Sequence, residues 1–339
     1  MAIVGLTGAI TVYQDELEAF LDPALHYVEP GPELASFETI LDAALAAYPD
    51  RWLVSLRPND GRPRMAYWLI LRKDGERDIP VSVNPYTAEV LGARSNWTLP
   101  TIIRRLHVTL LMGQTGTYLL GLASIGMMVT LIAGVVLWWP SKATWTRSLT
   151  IVGGLGSKRL LRDVHQVTGV CVFVFIFLMT VTGTALVFAG IAKGLVRVFV
   201  LSDATRPHAQ SEPMPDDRVT FDQAVSAAHR ALPDHRMVSI LAPQGDTGVY
   251  VFYAEPARGA FPVTKQTVTV DQYSAKVLEN PRLSRRDVVS QSLERWVDSI
   301  HAGRVLGSLS QVVVFLAGLA LPLLFGSGTY MWYRNRARR

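Results

Sequence analysis

Polar and apolar positions along the chain fall into long blocks. Three stretches contain no Asp, Glu, Lys or Arg: Leu106 to Ser141, Val164 to Ala192, and Val305 to Tyr333. Each exceeds the roughly 20 residues with which an α-helix crosses about 30 Å of hydrocarbon. A buried helix of a large soluble domain accounts for one such run; three together predict membrane spans. A fourth apolar run, Met1 to Gln14, is too short to span, and it lacks the basic n-region and small-residue cleavage site of a signal peptide. The segments between the runs are mixed. Each opens with an apolar-periodic helix, Phe37 to Tyr48 and Phe221 to Leu232, ended by Pro49 and Pro233. Strand-like runs follow: Trp52 to Arg57, Met65 to Leu71 and Ile79 to Asn84, then Met237 to Ala242, Val249 to Ala254 and Thr267 to Asp271. Asn59-Asp60-Gly61 and Asn84-Pro85-Tyr86 are turn signals.

The blocks repeat. Arg105-Leu106-His107 to Trp138 aligns without gaps on Ser299-Ile300-His301 to Trp332, pairing His107 with His301, Gly113 with Gly307 and Gly134 with Gly328. Thr7-Gly8 with Val12-Tyr13 aligns on Thr182-Gly183 with Val187-Phe188. The polar segments align as well: Phe37 with Phe221, Pro49-Asp50 with Pro233-Asp234, and Val90-Leu91 with Val277-Leu278. The plan is therefore helix, small α+β domain, helix, stated twice. His165 lies 17 residues before Thr182, so its repeat counterpart is expected about ten residues upstream of Met1.

Composition and charge refine this plan. Of 339 residues, 49% are hydrophobic and 18% charged, which excludes intrinsic disorder and a purely soluble chain. The single cysteine, Cys171, excludes an internal disulfide and a Cys-based zinc or iron–sulfur site; on its apolar helix it is expected to pack. The net charge of +5 is not spread as a nucleic-acid surface. Lys142, Arg147, Lys158, Arg159 and Arg162 crowd the link between the first two spans, and Arg334, Arg336, Arg338 and Arg339 follow the last. By the positive-inside rule both regions are cytoplasmic, with Trp138, Trp139, Trp332 and Tyr333 as interfacial anchors. The two large polar segments are then extracytoplasmic, and no nucleic-acid partner is expected.

Taken together, Thr-Gly-x-x-x-Val-[Tyr/Phe], the Arg-Arg-Leu-His-(x5)-Gly helix ending in Trp-Trp-Pro, and Asp-x-His-Gln-x-x-Gly at a helix start resemble the PepSY-associated transmembrane helix family. The resemblance runs from Gly5 to about Tyr333. Its members include iron-regulated inner-membrane proteins and ferric-siderophore reductases. It implies an α-helical membrane protein with a four-helix transmembrane bundle, two small α+β PepSY-like periplasmic domains, and bis-histidine haem b in the reductase members. On that plan 1–20 is the outer end of a truncated first membrane helix and 24–100 the first PepSY-like domain. Membrane helices follow at 104–140 and 164–192, joined by a cytoplasmic loop at 141–163. The second PepSY-like domain is 201–294, the last membrane helix 296–333, and 334–339 a basic cytoplasmic tail.

Seven histidines are present. His26, His208, His229 and His235 fall in polar segments and are expected on the surface. His107, His165 and His301 each open an uncharged helix, where an ionisable ring is a functional candidate. A neutral imidazole suits haem iron, zinc, copper or non-haem iron, and the spans hold no carboxylate for a histidine–carboxylate cluster. A flat macrocycle needs one axial imidazole from each side and small residues nearby. Gly113, Gly116 and Gly121 follow His107, and Gly303 and Gly307 follow His301. His107 and His301, equivalent in the repeat, make one outer bis-histidine site. His165 belongs to an inner site whose second ligand would precede Met1. Gln166 and Arg105 are candidate supports for the rings, and Arg104, Arg105, Arg295 and Arg304 candidate partners of haem propionates.

There is no Walker loop, GxGxxG opening a helix after a strand, or HExxH, so an electron donor would be the quinol pool or a cytoplasmic reductase. The expected function is transfer of electrons across a bacterial inner membrane to ferric siderophore, with the C-terminus cytoplasmic. The alternative is a non-enzymatic PepSY module, anchored in the bilayer, that binds peptides or restrains a periplasmic protease or partner.

Overall fold

The computed structural model describes residues 1–59, 61–153, 156–190, 209–214, 218–256, 266–278, 293 and 295–336. In chain order the first helices are α1 (Ala2–Thr11), α2 (Gln14–Leu21) and α3 (Phe37–Ala47), followed by β1 (Trp52–Arg57), β2 (Tyr67–Arg72), β3 (Ile79–Val83) and β4 (Val90–Ala93). Then come α4 (Leu99–Thr109), α5 (Gly113–Trp138), α6 (Trp145–Ser148) and α7 (Ser157–Val187). The second half has α8 (Phe221–Ala231), β5 (His235–Leu241), β6 (Val249–Pro256), β7 (Gln266–Asp271), β8 (Val277–Leu278) and α9 (Ser308–Arg336). His208, Asp216, Asp217 and the tail beyond residue 336 lie outside the described residues. The chain divides into two compact units, one of Met1–Gln14, Leu99–Val200 and Val289–Arg339, the other of Asp15–Thr98 and Leu201–Val288.

The first unit is helical. α5, α7 and α9 have mean hydropathies of 2.3, 2.5 and 2.1 and are long and apolar enough to cross a membrane; α1 is apolar but has only ten residues. α1 packs on α4 and α9, α5 on α7, and α7 on α9. Two boundaries depart from the sequence plan. The helix expected over 104–140 is broken: Leu110 (φ 50°), Leu111 (φ 60°) and Gly113 (φ 58°) turn the chain through the left-handed region between α4 and α5. Two leucines in that region cost roughly 1–2 kcal/mol each. The turn brings Gly116 so close to the Thr109 carbonyl that a Cβ would lie 1.7 Å from its oxygen. The repeat does likewise, with Gly303 (φ 66°) and Gly307 (φ 59°) between a helical segment at 295–301 and α9. His107 and His301 thus sit on short helices ahead of the membrane helices. The second departure is the start of α7 at Ser157. Lys158, Arg159 and Arg162 therefore stand on the membrane helix itself, and His165 lies about two turns inside it.

The second unit is one antiparallel sheet of eight strands in the order β4-β3-β2-β1-β5-β6-β7-β8. The sequence plan separates two α+β domains; here each contributes a four-stranded meander, and the halves join edge to edge where Ser55 pairs with Leu241 and Leu56 with Ile240. The join is apolar because one buried row runs through it: Val81, Leu69, Leu56, Ile240, Phe252 and Val268 are cross-strand neighbours. Burying each such large side chain contributes about 1.5–3 kcal/mol. α3 and α8 cover this row with Ile40, Ala44, Phe221, Ala224 and Ala228.

The two helices cap one another. Asp222 at the start of α8 accepts from the backbone N–H groups of Phe37 (2.9 Å) and Glu38 (3.0 Å), and Glu38 accepts from the N–H of Phe221 (2.6 Å). Each N-terminus also has its own cap, Ser36 bonding Thr39 N–H at 3.0 Å and a Thr220–Gln223 capping box. Phe37 and Phe221 pack between them with centroids 5.9 Å apart.

Candidate functional site

The helical unit holds His107 and His301 side by side, ring centroids 6.2 Å apart and planes inclined by 37°. Each ring is gripped by a neighbouring helix in the same way. On α1, Val4, Thr7 and Gly8 lie on one face. The Thr7 hydroxyl donates to the Ile3 carbonyl at 2.8 Å, so toward His107 it can only accept. His107 Nδ1 lies 3.0 Å from the Val4 carbonyl oxygen and 3.3 Å from the Thr7 hydroxyl. A carbonyl only accepts, so Nδ1 carries the proton and Nε2 the lone pair. Gly8 lets the ring lie against the helix, since a Cβ there would be 2.8 Å from His107 Cε1. α7 repeats the arrangement. Thr182 donates to the Leu178 carbonyl at 2.7 Å and accepts from His301 Nδ1 at 3.0 Å, the Met179 backbone adds a second bond, and a Cβ on Gly183 would be 2.9 Å from His301 Cε1.

His165 has the same kind of support but no partner ring. Its Nδ1 is 2.8 Å from the hydroxyl of Ser327, which itself donates to the Leu323 carbonyl at 2.7 Å; Gly328 lies beneath Cε1. Among the described residues no second imidazole stands opposite it. The structure thus brings two of the three sequence-nominated histidines together and leaves the third apart.

The residues nominated as supports differ from those that act. Thr7, Thr182 and Ser327 hold the rings, helped by backbone carbonyls at His107 and His301. The Thr-Gly pairs were visible in the repeat, but their partner histidines lie 100 and 119 residues away. Of the glycines after His107, Gly113 turns the chain with φ 58°. Gly116 closes the α4–α5 turn, and Gly121 admits Val187 and Phe188 of the α7 end. Arg304 pairs with Asp298. Cys171 is exposed on α7, where packing was expected.

Among the described residues no three His, Cys, Asp or Glu side chains come together as a metal site. Two imidazoles alone do not make the four-coordinate shell of structural zinc. They do complete a metal that brings its own equatorial donors, as a macrocycle does. The spacing agrees: two imidazoles coaxial on one ion, with bonds of about 2.0–2.1 Å, place ring centroids roughly 6.4 Å apart. Two neutral imidazoles side by side are the donor set that such a macrocycle takes.

In the sheet unit, His26 corrects its surface expectation. It is 3% exposed because its ring packs edge-on to Trp68, with centroids 5.7 Å apart, and its Nδ1 donates to the Asp22 carbonyl at 2.8 Å. The Arg94 guanidinium lies over the Trp68 ring at 3.5 Å and reaches Glu18 at 3.7 Å. Burial lowers the Arg94 pKa to about 10 and moves that of His26 below its ordinary value. His235 is half-buried, with both ring nitrogens inaccessible, while His229 is exposed.

Three helices able to cross a bilayer, joined to an antiparallel α+β part, define a membrane protein of mixed architecture. The chain belongs to the PepSY-associated TM region family, whose model matches residues 1–335. Searched against curated proteins, the chain finds no match.

Proposed function

We propose that the protein is an inner-membrane haem carrier that passes electrons across the bilayer to ferric-siderophore iron. The observation that carries this is the pair His107 and His301: adjacent rings, each with Nδ1–H fixed by a different helix and Nε2 left as a lone pair. Haem b bound between them would supply one-electron chemistry. His107 and His301 would hold it through Nε2, and the chain's part is to fix both tautomers and to keep the two rings side by side between their gripping helices. His165 does not enter this reading, because no described imidazole faces it.

The membrane arrangement belongs to the same proposal. α1 is read as part of a first bundle helix beside α5, α7 and α9, and the matching halves as products of an internal duplication. The basic start of α7 and end of α9 support reading those ends as cytoplasmic and the sheet unit as periplasmic. Reduction serves iron release because hard siderophore oxygens hold Fe(III) far better than Fe(II). The donor would be quinol or a cytoplasmic reductase.

A reduced-minus-oxidised visible spectrum tests the reading. Wild type from haem-replete cells should show sharp low-spin bands, lost in both His107→Ala and His301→Ala. A colourless wild type would refute it and favour a PepSY module that binds peptides or a periplasmic partner.

A further inference from the structure

At the end of the helical unit where α7 begins and α9 ends, a cleft of about 440 Å³ opens between the two helices. Lys158, Arg162 and His165 line it from one face of α7, and Tyr330 and Arg334 from the last turns of α9. The lining carries three cations and no carboxylate. The acid closest in sequence, Asp163, is taken by Arg159 at 2.8 Å. Among the described residues none of the three cations forms an ion pair. Leu161 and Met331 give the same cleft an apolar side.

Three cations grouped at the edge of the hydrocarbon repel one another and call for an anion. The volume equals that of roughly 15 water molecules at about 30 Å³ each, several times what a phosphate ion fills. Of the nine lining residues three are cations, Leu161 and Met331 are apolar, and Tyr330 stands in the last turns of α9, where an interfacial aromatic is expected. We infer that this cleft binds the phosphate of an anionic phospholipid, with Lys158, Arg162 and Arg334 around the phosphate and the glycerol and upper acyl chains along Leu161 and Met331. An anionic leaflet would supply the ligand. The site would tie α7 to α9 at the end remote from the paired imidazoles, and it does not depend on haem.

The test is native mass spectrometry of the full chain released from nanodiscs of equal phosphatidylcholine and cardiolipin. Wild type should retain cardiolipin. Arg162→Gln with Arg334→Gln should lower retention about 30-fold, two cations at about 1 kcal/mol each. Lys142→Gln with Arg147→Gln removes the same charge outside the cleft and should retain the lipid. Arg162→Lys with Arg334→Lys keeps the charge and should also retain it, separating lost binding from lost folding. Equal loss in the two glutamine pairs, or loss in neither, would overturn the cleft as the site. Inorganic phosphate forms the other arm. If a hundredfold excess displaces cardiolipin, free phosphate is the ligand and the lipid reading falls; continued retention supports it. The readout is lipid mass, so a colourless protein leaves the inference intact.

Discussion

Gly8→Ala should dislodge His107 although the new methyl group touches no other function. The added Cβ would stand 2.8 Å from His107 Cε1, where carbon atoms ordinarily keep about 3.5–4.0 Å. The ring must retreat by roughly 0.7 Å or more. Moving Nδ1 that far along its bond stretches the 3.0 Å contact with the Val4 carbonyl to about 3.7 Å, beyond hydrogen-bond range. That bond is worth about 1 kcal/mol, and overpacking adds about 1–3 kcal/mol. The expected penalty is about 2–4 kcal/mol, or roughly 30- to 1,000-fold in affinity for whatever His107 ligates. Gly183→Ala should behave alike, its Cβ meeting His301 at 2.9 Å. Gly134→Ala is the control: it lies within α5 and its Cβ would meet nothing within 4 Å. Haem titration followed by low-spin absorbance, with thermal unfolding in parallel, reads both terms. If Gly8→Ala titrates like Gly134→Ala, the helix grip on the imidazole is not what holds the site.

The sheet unit offers three further expectations. Leu56→Ala, at the centre of the row that joins the halves, should destabilise by about 2–5 kcal/mol in denaturant unfolding. Asp222→Ala removes the carboxylate that accepts from two α3 N–H groups and should cost about 1–2 kcal/mol; combined with Glu38→Ala in a double-mutant cycle, the losses should not add, because each side chain caps the other's helix. His26 gives a pH dependence of known sign. Burial lowers its folded pKa below the ordinary 6.5, so the unfolded chain binds its proton first. Its contribution should be intact above about pH 6.5 and be lost as pH falls from there through the folded value, where Arg94 also opposes a second positive charge while Glu18 and Asp22 partly favour it. His26→Gln should flatten that slope.

How far the sequence anticipates the structure depends on the range of the interaction. The spans are legible because a bilayer imposes a local rule, about 20 apolar residues without charge. Strands and helix ends are legible for the same reason: Pro49 and Pro233, and the apolar run from Met65 to Leu71, are local signals. The edge-to-edge pairing of β1 with β5 is not, because alternation fixes which face of a strand is buried but not which of several strands becomes its neighbour. The α4–α5 break is hidden as well. Leu110 and Leu111 have no preference for positive φ and adopt it under tertiary constraint. His26 escapes notice because nothing beside it in sequence reveals that Trp68 and Arg94 will enclose it.

The strongest reason to read the paired imidazoles as ligands is the direction of their hydrogen bonds. A histidine that merely fills an apolar helix interface needs one satisfied polar atom, and either nitrogen serves. Here the choice is set at His107 and His301, where the Val4 and Met179 carbonyls accept from Nδ1, and Ser327 offers His165 a hydroxyl in the same position. Thr7, Thr182 and Ser327 each donate to a carbonyl one turn earlier, so each can offer a ring only an acceptor. The proton is thereby held on Nδ1 and the basic Nε2 is left over. At His165 a single such nitrogen could stay idle at small cost. At His107 and His301 two of them belong to rings 6.2 Å apart, where neither can donate to the other. Two such acceptors on adjacent rings are a donor set for one electrophile. That makes the tautomers the discriminating observable. In a haem-free preparation, ring-nitrogen chemical shifts should report Nδ1–H on both residues. Thr182→Val should let His301 exchange to Nε2–H while leaving His107 fixed. If both rings exchange freely in the wild type, the hydroxyls do not set the lone pairs and the ligand reading loses its basis.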